Sequence, residues 1–487
     1  MIALRAYSRM HLIPKEALAQ EMGGDALARE RVLVVPSLVW AVWGAMTVAT
    51  LLFIWHYSRN IPFADDFSLV PVMTGHEPVS LRWLWSQHNE HRPIVPRLVM
   101  VGLNRLISSD FRLGLYVNGA LLSAAAASML LLTRKLRGHT RLVDVVLPLS
   151  ILNIGQAQTL LLGLTMALTM TSLVSCELIR LAAAQNSRLG LPLTLKLGLF
   201  LVLLPLCGAG GLIMLPPLLL WLACESIWGC RREGSPEKVK VARAIGVALL
   251  VVCLAVVTFY MLGYKSPPQN RPPTSFVAAI STLLEYLSLV IWPNVLDYWR
   301  AAGLIVAFLV AATLVRLCLV GRRQPDDRVR AFAMIAVILA MLCAAVAVGY
   351  SRSFIGPGGA RVGRYVTTTS PLFCALYVAW LIHGSARTRR RVHAALFVVV
   401  ILTVPTNIKH GLRVGEWRRA VYTRLERDMK AHSTLSAVVK NAWPHLYPSK
   451  EFIEVSFKML KEAQVCRFGD LVYDRPANAP NGSSAIR

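Results

Sequence analysis

Residues 331–350, AFAMIAVILAMLCAAVAVGY, form an apolar run that contains neither a charged residue nor a proline. An α-helix needs about 20 apolar residues to cross the hydrocarbon core of a bilayer. Comparable runs recur between Val32 and Pro405, and the chain of 487 residues is 55% apolar and 16% charged. A soluble domain carries about 25% charged residues. The sequence therefore excludes an ordinary soluble protein and predicts an all-α, polytopic integral membrane protein surrounded by a lipid bilayer.

The apolar runs predict eleven transmembrane helices. Their approximate ranges are 32–55, 112–133, 142–155, 159–181, 197–208, 212–228, 244–263, 301–321, 331–350, 366–384 and 393–405. The net charge is +26, and the clearest basic clusters, at 134–141, 231–243, 322–330 and 387–391, each lie between two runs. Because short loops rich in Lys and Arg stay in the cytoplasm, the N-terminus is predicted to be inside. The positive charge is thus explained by topology, and we expect no nucleic-acid partner.

This topology predicts three parts of the chain: a cytoplasmic segment at 1–31, a transmembrane domain at 32–405 and an outer tail at 406–487. The tail has helical spacing at 414–429 and 453–460, which predicts two amphipathic helices, and its end at 475–487 is predicted to be disordered. Long outer connections are expected at 58–111, 264–300 and 351–364. The apolar stretch 275–292 is predicted to lie on the outer surface or to re-enter, because two crossings already join the cytoplasmic clusters on either side of it.

The outer loop at 58–111 begins with an acidic pair, Asp65-Asp66, in a chain that has only 26 acidic residues. Loops of this length usually carry function. Adjacent carboxylates repel each other, so we expect that one has a raised pKa or that the two share a cation, which suits a general base or a metal contact. The alternative is that one carboxylate caps a helix that runs through Leu69.

The same loop continues with LRWLWSQHNEHRPIVPR, residues 81–97. Two tryptophans beside an ionisable cluster predict an amphipathic helix in the headgroup layer. His88, Glu90 and His91 are candidates to hydrogen-bond substrate; they are also metal-ligand types, but no third histidine accompanies them, so metal binding stays open. Arg92 and Arg97 are permanent cations that suit a donor phosphate. The alternative for the whole stretch is a contact with lipid headgroups alone.

Amide side chains mark the connection between the third and fourth predicted spans. Asn153, Gln156 and Gln158 are predicted to face outward, where they are candidates to line the substrate cavity and to hydrogen-bond a sugar. The equal alternative is that these amides cap helices and form bonds between helices.

A glycine-rich outer loop at 351–364 carries Arg352, Arg361 and Arg364. Arginines on this side contradict the positive-inside trend, so a role other than topology is expected. A guanidinium supplies a fork of donors to phosphate oxygens, and we predict that the three bind a lipid phosphate, with nonspecific contact to anionic lipid as the alternative. Tyr365 follows at the membrane interface and is a further substrate-binding candidate.

The acidic pair, followed by HRPIVP at residues 91–96, resembles the first outer loop of the GT-C glycosyltransferases. This superfamily includes the protein O-mannosyltransferases and the lipid A aminoarabinose transferases. Its pattern is Asp-Glu followed by a Lys-Pro-Pro-Leu-like string; here Asp66 replaces Glu, and Arg92-Pro93 replaces Lys-Pro-Pro. The predicted spans and the outer tail also suit the superfamily. The resemblance implies an outer-loop acid as the catalytic group and an outer-loop arginine on the phosphate of a lipid-linked sugar.

We therefore expect an inverting glycosyltransferase that transfers a sugar from a polyprenyl-phosphate donor to an extracytoplasmic glycan, lipid or protein. Asp65 or Asp66 would act as the base. The expected location is a bacterial inner membrane, with the site facing the periplasm, and Mg²⁺ or Mn²⁺ stays open as a cofactor. The alternatives are a transporter or flippase for a lipid-linked saccharide, a surface-polysaccharide polymerase or ligase, and a scaffold. The acids of the first loop favour the transferase, because a transporter should place ionisable groups at mid-membrane.

Overall fold

The computed structural model describes residues 15–107, 110–185, 190–228, 236–267, 271–291, 298–431 and 433–474. In these ranges the regular elements are helices, and the β-type pairing is limited to two isolated bridges, His88 with His91 and Thr434 with Val472. The predicted disordered end at 475–487 lies outside the described residues. In chain order the helices are α1 (Lys15–Tyr57), α2 (Val70–Met73), α3 (Leu81–Trp85), α4 (Ile94–Leu106), α5 (Arg112–Arg137), α6 (Val146–Ile151), α7 (Ala157–Leu160), α8 (Met166–Ala183), α9 (Leu191–Cys207), α10 (Ala209–Ile213), α11 (Leu215–Trp228), α12 (Pro236–Met261), α13 (Phe276–Ser288), α14 (Trp299–Arg323), α15 (Arg328–Arg352), α16 (Val366–His383), α17 (Ala386–Lys430), α18 (Leu435–Leu446) and α19 (Lys450–Glu462).

Among the described residues, eight helical segments are long and apolar enough to cross a membrane, on α1, α5, α8, α12, α14, α15, α16 and α17. Their length and composition confirm the prediction of a membrane protein with several apolar helices. The predicted spans 197–208 and 212–228 coincide with shorter apolar helices, α9 and α11, and 275–292 contains the short helix α13. The count of eleven spans and their orientation stay predictions.

The predicted third span, 142–155, is wrong as a single helix. It consists of a 3₁₀ turn, Leu142–Val145, the six-residue helix α6 and a second 3₁₀ turn, Ile154–Gln156. The helix ends because Asn153 adopts an extended backbone and its side chain accepts the N–H of Gly155 at 2.7 Å. An apolar run alone does not reveal such a local side-chain competitor for the helical hydrogen bonds.

The predicted eleventh span and the first predicted tail helix are one element. α17 has 45 residues and continues through Pro405, where the prediction placed the end of the transmembrane domain. At 1.5 Å per residue, such a helix is about 67 Å long, more than twice the thickness of a bilayer core. The second predicted tail helix is α19, which begins as expected after Ser449, whose side chain accepts the N–H of Phe452 at 3.2 Å.

The buried side chains form two apolar clusters. The larger cluster lies among the long helices, and the smaller one joins the first outer loop to the tail. In the smaller cluster, Phe67, Leu69 and Val70 pack against tail residues that include Val438 and Phe457, all with 0% exposure. The tail is therefore packed directly on the segment that carries the acidic pair.

A buried carboxylate, Asp144, and a partly buried one, Glu177, have partners within the bundle. At the end of α5 away from the first outer loop, Asp144 accepts bonds from Arg137 at 2.8 and 3.1 Å and from the Tyr377 hydroxyl at 2.6 Å. Glu177 on α8 accepts the Ser128 hydroxyl of α5 at 2.5 Å. These groups join neighbouring helices, which is the usual way in which a bundle tolerates buried charge.

Candidate functional site

The acidic pair lies on a 3₁₀ turn, Ala64–Leu69, which no side chain caps. Asp66 is 3% exposed, and its carboxyl oxygens accept the N–H groups of Gly163 at 3.0 Å and Leu164 at 2.7 Å. These two amides belong to the turn that precedes α8, so Asp66 caps another segment of the chain instead of its own. A side chain at Gly163 would crowd this contact, because its Cβ would lie 3.0 Å from Oδ1 of Asp66.

The expectation that one of the two acids has a raised pKa is confirmed for Asp66, but the main cause differs. Burial raises the pKa of Asp66 to about 7, against the lowering effect of the two N–H bonds. The negative charge of Asp65 adds a smaller increase. Burial therefore outweighs repulsion between the neighbours, and Asp66 is placed to anchor the loop.

Asp65 is the accessible acid of the pair. Its side chain is 32% exposed, and Oδ1 lies 3.4 Å from Nε2 of His88. Partial burial acts to raise the pKa of Asp65, but the hydrogen bond and charge of His88 and the charge of Arg364 outweigh it, and the pKa lies below its usual value. Asp65 is therefore a carboxylate at neutral pH.

The stretch 81–97 is not one amphipathic helix. α3 has only five residues, and His88 and His91 exchange backbone hydrogen bonds of 2.8 and 2.9 Å across a tight turn with Asn89 at φ +48°. A helix cannot continue here, because Pro93 removes a backbone donor and disfavours helical geometry at the preceding residue. The turn places the side chains of residues 88–91 beside the acidic pair, which helical spacing does not predict.

His91 is held by the glycine-rich connection after α9. Its Nδ1 accepts the N–H of Ala209 at 3.1 Å, and Gly208, with φ +157°, brings the backbone close to the ring. Burial lowers the pKa of His91, so the ring is neutral at pH 7 and carries its proton on Nε2. The sequence shows a tight turn at 207–211, but it does not show that this turn orients His91.

Arg92 and Arg97 were predicted to bind phosphate, but their guanidinium groups bind backbone carbonyls. Arg92, 6% exposed, donates to the carbonyls of Trp85, Tyr260 and Leu262 at 2.6–3.0 Å, the last two at the end of α12. Nη1 of Arg97, 4% exposed, donates to the carbonyl of Ser86 at 2.7 Å and to that of Trp83 at 2.9 Å. Burial lowers the pKa of Arg97 to about 10. Both arginines donate to carbonyls at helix ends, Arg97 at the end of α3 and Arg92 at the ends of α3 and α12, and so shape the loop.

Arg352 binds Glu90, which lies in the tight turn at residues 88–91. Nη2 of Arg352 lies 3.2 Å from Oε1 of Glu90, and its Nε donates to the Tyr365 hydroxyl at 3.2 Å. Three residues that sequence reasoning selected independently are therefore brought together. In this arrangement Glu90 neutralises Arg352, and Tyr365 orients it.

The glycine-rich loop is held by a residue that sequence reasoning missed. Glu285 of α13, 1% exposed, accepts the N–H groups of Gly358 at 2.7 Å and Ala360 at 3.3 Å. Nε of Arg361 lies 3.7 Å from the same carboxylate, and its guanidinium lies over the Trp299 ring at 5.5 Å. The sequence does contain a signal for Glu285, which is the one acidic residue in the apolar stretch 275–292. A buried charge in such a segment needs partners.

Arg364 differs from the other two arginines of this loop. Its backbone N–H donates to Oε1 of Gln158 at 3.3 Å, and its guanidinium lies 5.8 Å from the Tyr365 ring centre. Within the described part of the chain, no residue accepts a hydrogen bond from the Arg364 guanidinium. Its charge acts on Asp65 and on His91. Arg364 thus offers a fork of donors within electrostatic reach of the accessible carboxylate.

The outer amides serve mainly to connect segments. Asn153 caps a turn, and Gln156, 0% exposed, donates to the Ile151 carbonyl at 2.6 Å and accepts the Thr367 hydroxyl at 2.6 Å. These two follow the helix-capping alternative and not the sugar-binding one. Gln158 reaches the site only through the backbone of Arg364.

A further arginine of the site region comes from α17. Arg418 is 3% exposed, and its guanidinium carbon lies 3.2 Å from the centre of the Phe63 ring. Its Nη1 donates to the Leu161 carbonyl at 3.1 Å, and its charge lowers the pKa of Asp66. Arg418 therefore joins the two segments that hold Asp66, a contact over more than 250 residues of sequence.

The site does not provide the ligand set that Mg²⁺ or Mn²⁺ prefers. In the part of the chain that the structure describes, no group of three or more His, Cys, Asp or Glu side chains is placed to hold a metal ion. Magnesium favours several oxygen ligands, whereas Asp65 is surrounded by histidine and arginine and Glu90 is paired with Arg352. We derive no step through a metal.

Comparison of the chain with family models, with curated protein sequences and with solved structures finds no match. The resemblance to the GT-C glycosyltransferases therefore remains a hypothesis that depends on the residues of the first outer loop.

Proposed function

We propose that this protein is an inverting glycosyltransferase that uses a polyprenyl-phosphate sugar as donor and an extracytoplasmic hydroxyl group as acceptor. One observation carries the proposal: an accessible carboxylate, Asp65, lies within electrostatic reach of the Arg364 guanidinium, which has no acceptor among the described residues. A base for the attacking hydroxyl and a cation for the leaving phosphate are the two groups that such a transfer requires.

In the proposed reaction, the proton of the acceptor hydroxyl moves to Asp65 while the hydroxyl oxygen bonds to the anomeric carbon. The bond between that carbon and the phosphate oxygen breaks, and its electron pair leaves with the phosphate. Because the pKa of Asp65 is below its usual value, Asp65 is present as the carboxylate that accepts this proton. Arg364, together with the neutral Nε2–H of His91, stabilises the negative charge of the departing phosphate.

The remaining candidates have supporting roles. His88 orients Asp65, Glu90 and Tyr365 orient Arg352, and Glu285 holds the loop that carries Arg361. Such outer contacts keep the reacting groups in place without touching the reacting atoms. Because Asp66 is buried and anchors the turn, we favour Asp65 as the base.

The test is mass spectrometry of the envelope glycans in cells that lack the protein. We expect a sugar to be lost on deletion and restored by the wild type, but not by Asp65→Asn or Arg364→Met at matched membrane levels. Arg82→Met is the matched control, because Arg82 is exposed in the same outer loop. Full restoration by Asp65→Asn would exclude this carboxylate as the base. If Asp65→Asn restores the sugar and a lipid-linked saccharide accumulates in the deletion strain, the transporter alternative is favoured.

A further inference from the structure

A tyrosine of the tail lies beside the acidic turn. Tyr447 follows α18 directly, in the short connection to α19, and its ring is partly buried. The ring centre lies 6.3 Å from that of Phe67 and 5.0 Å from that of Phe452. Phe67 is fully buried and stands two residues after Asp65 in the same 3₁₀ turn. The packing of Phe67 therefore fixes Tyr447 against the turn that carries the proposed base.

The Tyr447 hydroxyl is available to a ligand. Among the described residues, none forms a hydrogen bond with it. The negative charge of Asp65 acts on it, which places the phenol within electrostatic reach of the carboxylate. The Tyr447 hydroxyl is not among the buried unpaired polar atoms of the described residues, so its oxygen is exposed and a ligand that approaches the acidic turn can bond to it.

The chemistry of inversion separates donor and acceptor. The attacking oxygen and the leaving oxygen must lie on opposite faces of the anomeric carbon. The groups suited to the leaving phosphate come from the turn at 88–91 and from Arg364. Asp65, as the proposed base, takes the proton of the attacking hydroxyl, so a side chain that packs against the turn of Asp65 is suited to the acceptor.

We propose that Tyr447 forms the acceptor subsite and that the acceptor is a sugar residue of a glycan, with its ring face on the phenol ring and one of its hydroxyls bonded to the Tyr447 hydroxyl. This inference rests on the proposed function. An aromatic ring with a polar tip matches a sugar, which has an apolar ring face and a polar rim.

The experiment measures transfer and donor hydrolysis separately with purified protein in detergent micelles. The donor is a short-chain prenyl-phosphate form of the sugar that is lost on deletion, and the acceptors are methyl glycosides. Tyr447→Phe keeps the ring and removes the hydroxyl. We expect a three- to tenfold higher KM for the glycoside, equivalent to about 0.7–1.4 kcal/mol, with donor hydrolysis unchanged. Tyr447→Ala should raise the KM further.

The matched control is Tyr473→Phe, because Tyr473 is an exposed tail tyrosine whose hydroxyl is bonded to Glu462 at 3.3 Å. If Tyr447→Phe and Tyr447→Ala both keep the wild-type KM for the glycoside, the subsite is refuted and the proposed function stands. The same holds if the wild type transfers to a hydroxyl-bearing peptide or lipid but to no glycoside. If the wild type turns over no donor, both proposals fail. Thermal unfolding of each variant distinguishes a loss of binding from a loss of fold.

Discussion

Replacing Asp66 with Asn changes one atom of the acidic pair and should destabilise the fold. The carboxyl group of Asp66 accepts two backbone N–H groups, one on each oxygen, at 2.7 and 3.0 Å. Asparagine offers a single oxygen, and its NH₂ group would face the second N–H donor. One buried donor then loses its partner, which costs about 1–3 kcal/mol of unfolding free energy.

The neighbouring acid provides the matched comparison. Asp65→Asn is the same chemical change, but the Asp65 side chain is 32% exposed and accepts no N–H from the backbone of the described residues. Losses at exposed charge contacts are small, so the expected cost is less than about 1 kcal/mol. Asp65→Asn should therefore abolish the proposed activity with the fold intact, whereas Asp66→Asn should lower the stability first.

The cost of Asp66→Asn should also depend on pH. The pKa of Asp66 is raised from 3.8 to about 7 in the folded protein, so the folded state keeps its proton at pH values where the unfolded state has lost it. The stability that Asp66 contributes by keeping this proton is fully present at pH values below the pKa of the unfolded state, 3.8. It is lost as the pH rises through the folded-state pKa of about 7, by at most about 1.4 kcal/mol per pH unit. The difference between the wild type and Asp66→Asn is therefore largest at pH 5 and smaller at pH 8.

The assay is denaturant unfolding in detergent micelles at pH 5, 6, 7 and 8, followed by tryptophan fluorescence. The reasoning is refuted if the two Asn variants lose equal stability at pH 5. It is also refuted if the difference between the wild type and Asp66→Asn grows with rising pH, since this would mean that Asp66 is stabilised as the carboxylate.

Two further predictions concern the groups that hold the site. Arg92→Met should lower the unfolding free energy by about 2–4 kcal/mol, because three carbonyls lose a buried charged donor, whereas Met at the exposed Arg105 should cost less than about 0.5 kcal/mol in the same unfolding assay. Equal costs would contradict the structural role of Arg92. Glu285→Gln should accelerate hydrogen exchange at Gly358 and Ala360 about tenfold or more, because bonds to a charged acceptor are worth about 1.5–3 kcal/mol. Unchanged exchange, measured by mass spectrometry, would show that Glu285 does not hold this loop.

Sequence reasoning selected several residues that the structure brings together, but for others it did not anticipate the contacts that they make. Asp65, Glu90, His91 and Arg352 were selected from residue type and placement in outer loops, and the structure brings them into one region. Arg92 was selected by the same reasoning, yet it binds carbonyls at the end of α12. A guanidinium suits a phosphate and a helix end equally well, so residue type cannot distinguish the two.

The partners that sequence reasoning missed come from distant segments. Glu285, Arg418 and Tyr447 lie on α13, α17 and the tail, more than 190 residues after the acidic pair in the chain. Each reaches its contacts through the packing of segments that are distant in the chain, and local patterns contain no record of that packing. The third predicted span was wrong for a different reason, since the turn at Asn153 is set by a local side-chain hydrogen bond that an apolar run does not reveal.

By itself, the sequence determined the class of protein and its solvent. Apolar runs of membrane length can bury their backbone polar groups only as helices, so composition and run length decide this without knowledge of tertiary contacts. The tertiary structure alone decided which acid is exposed and which is buried. Asp65 and Asp66 are chemically identical neighbours, and their difference arises because the turn before α8 supplies two N–H groups to one of them and none to the other.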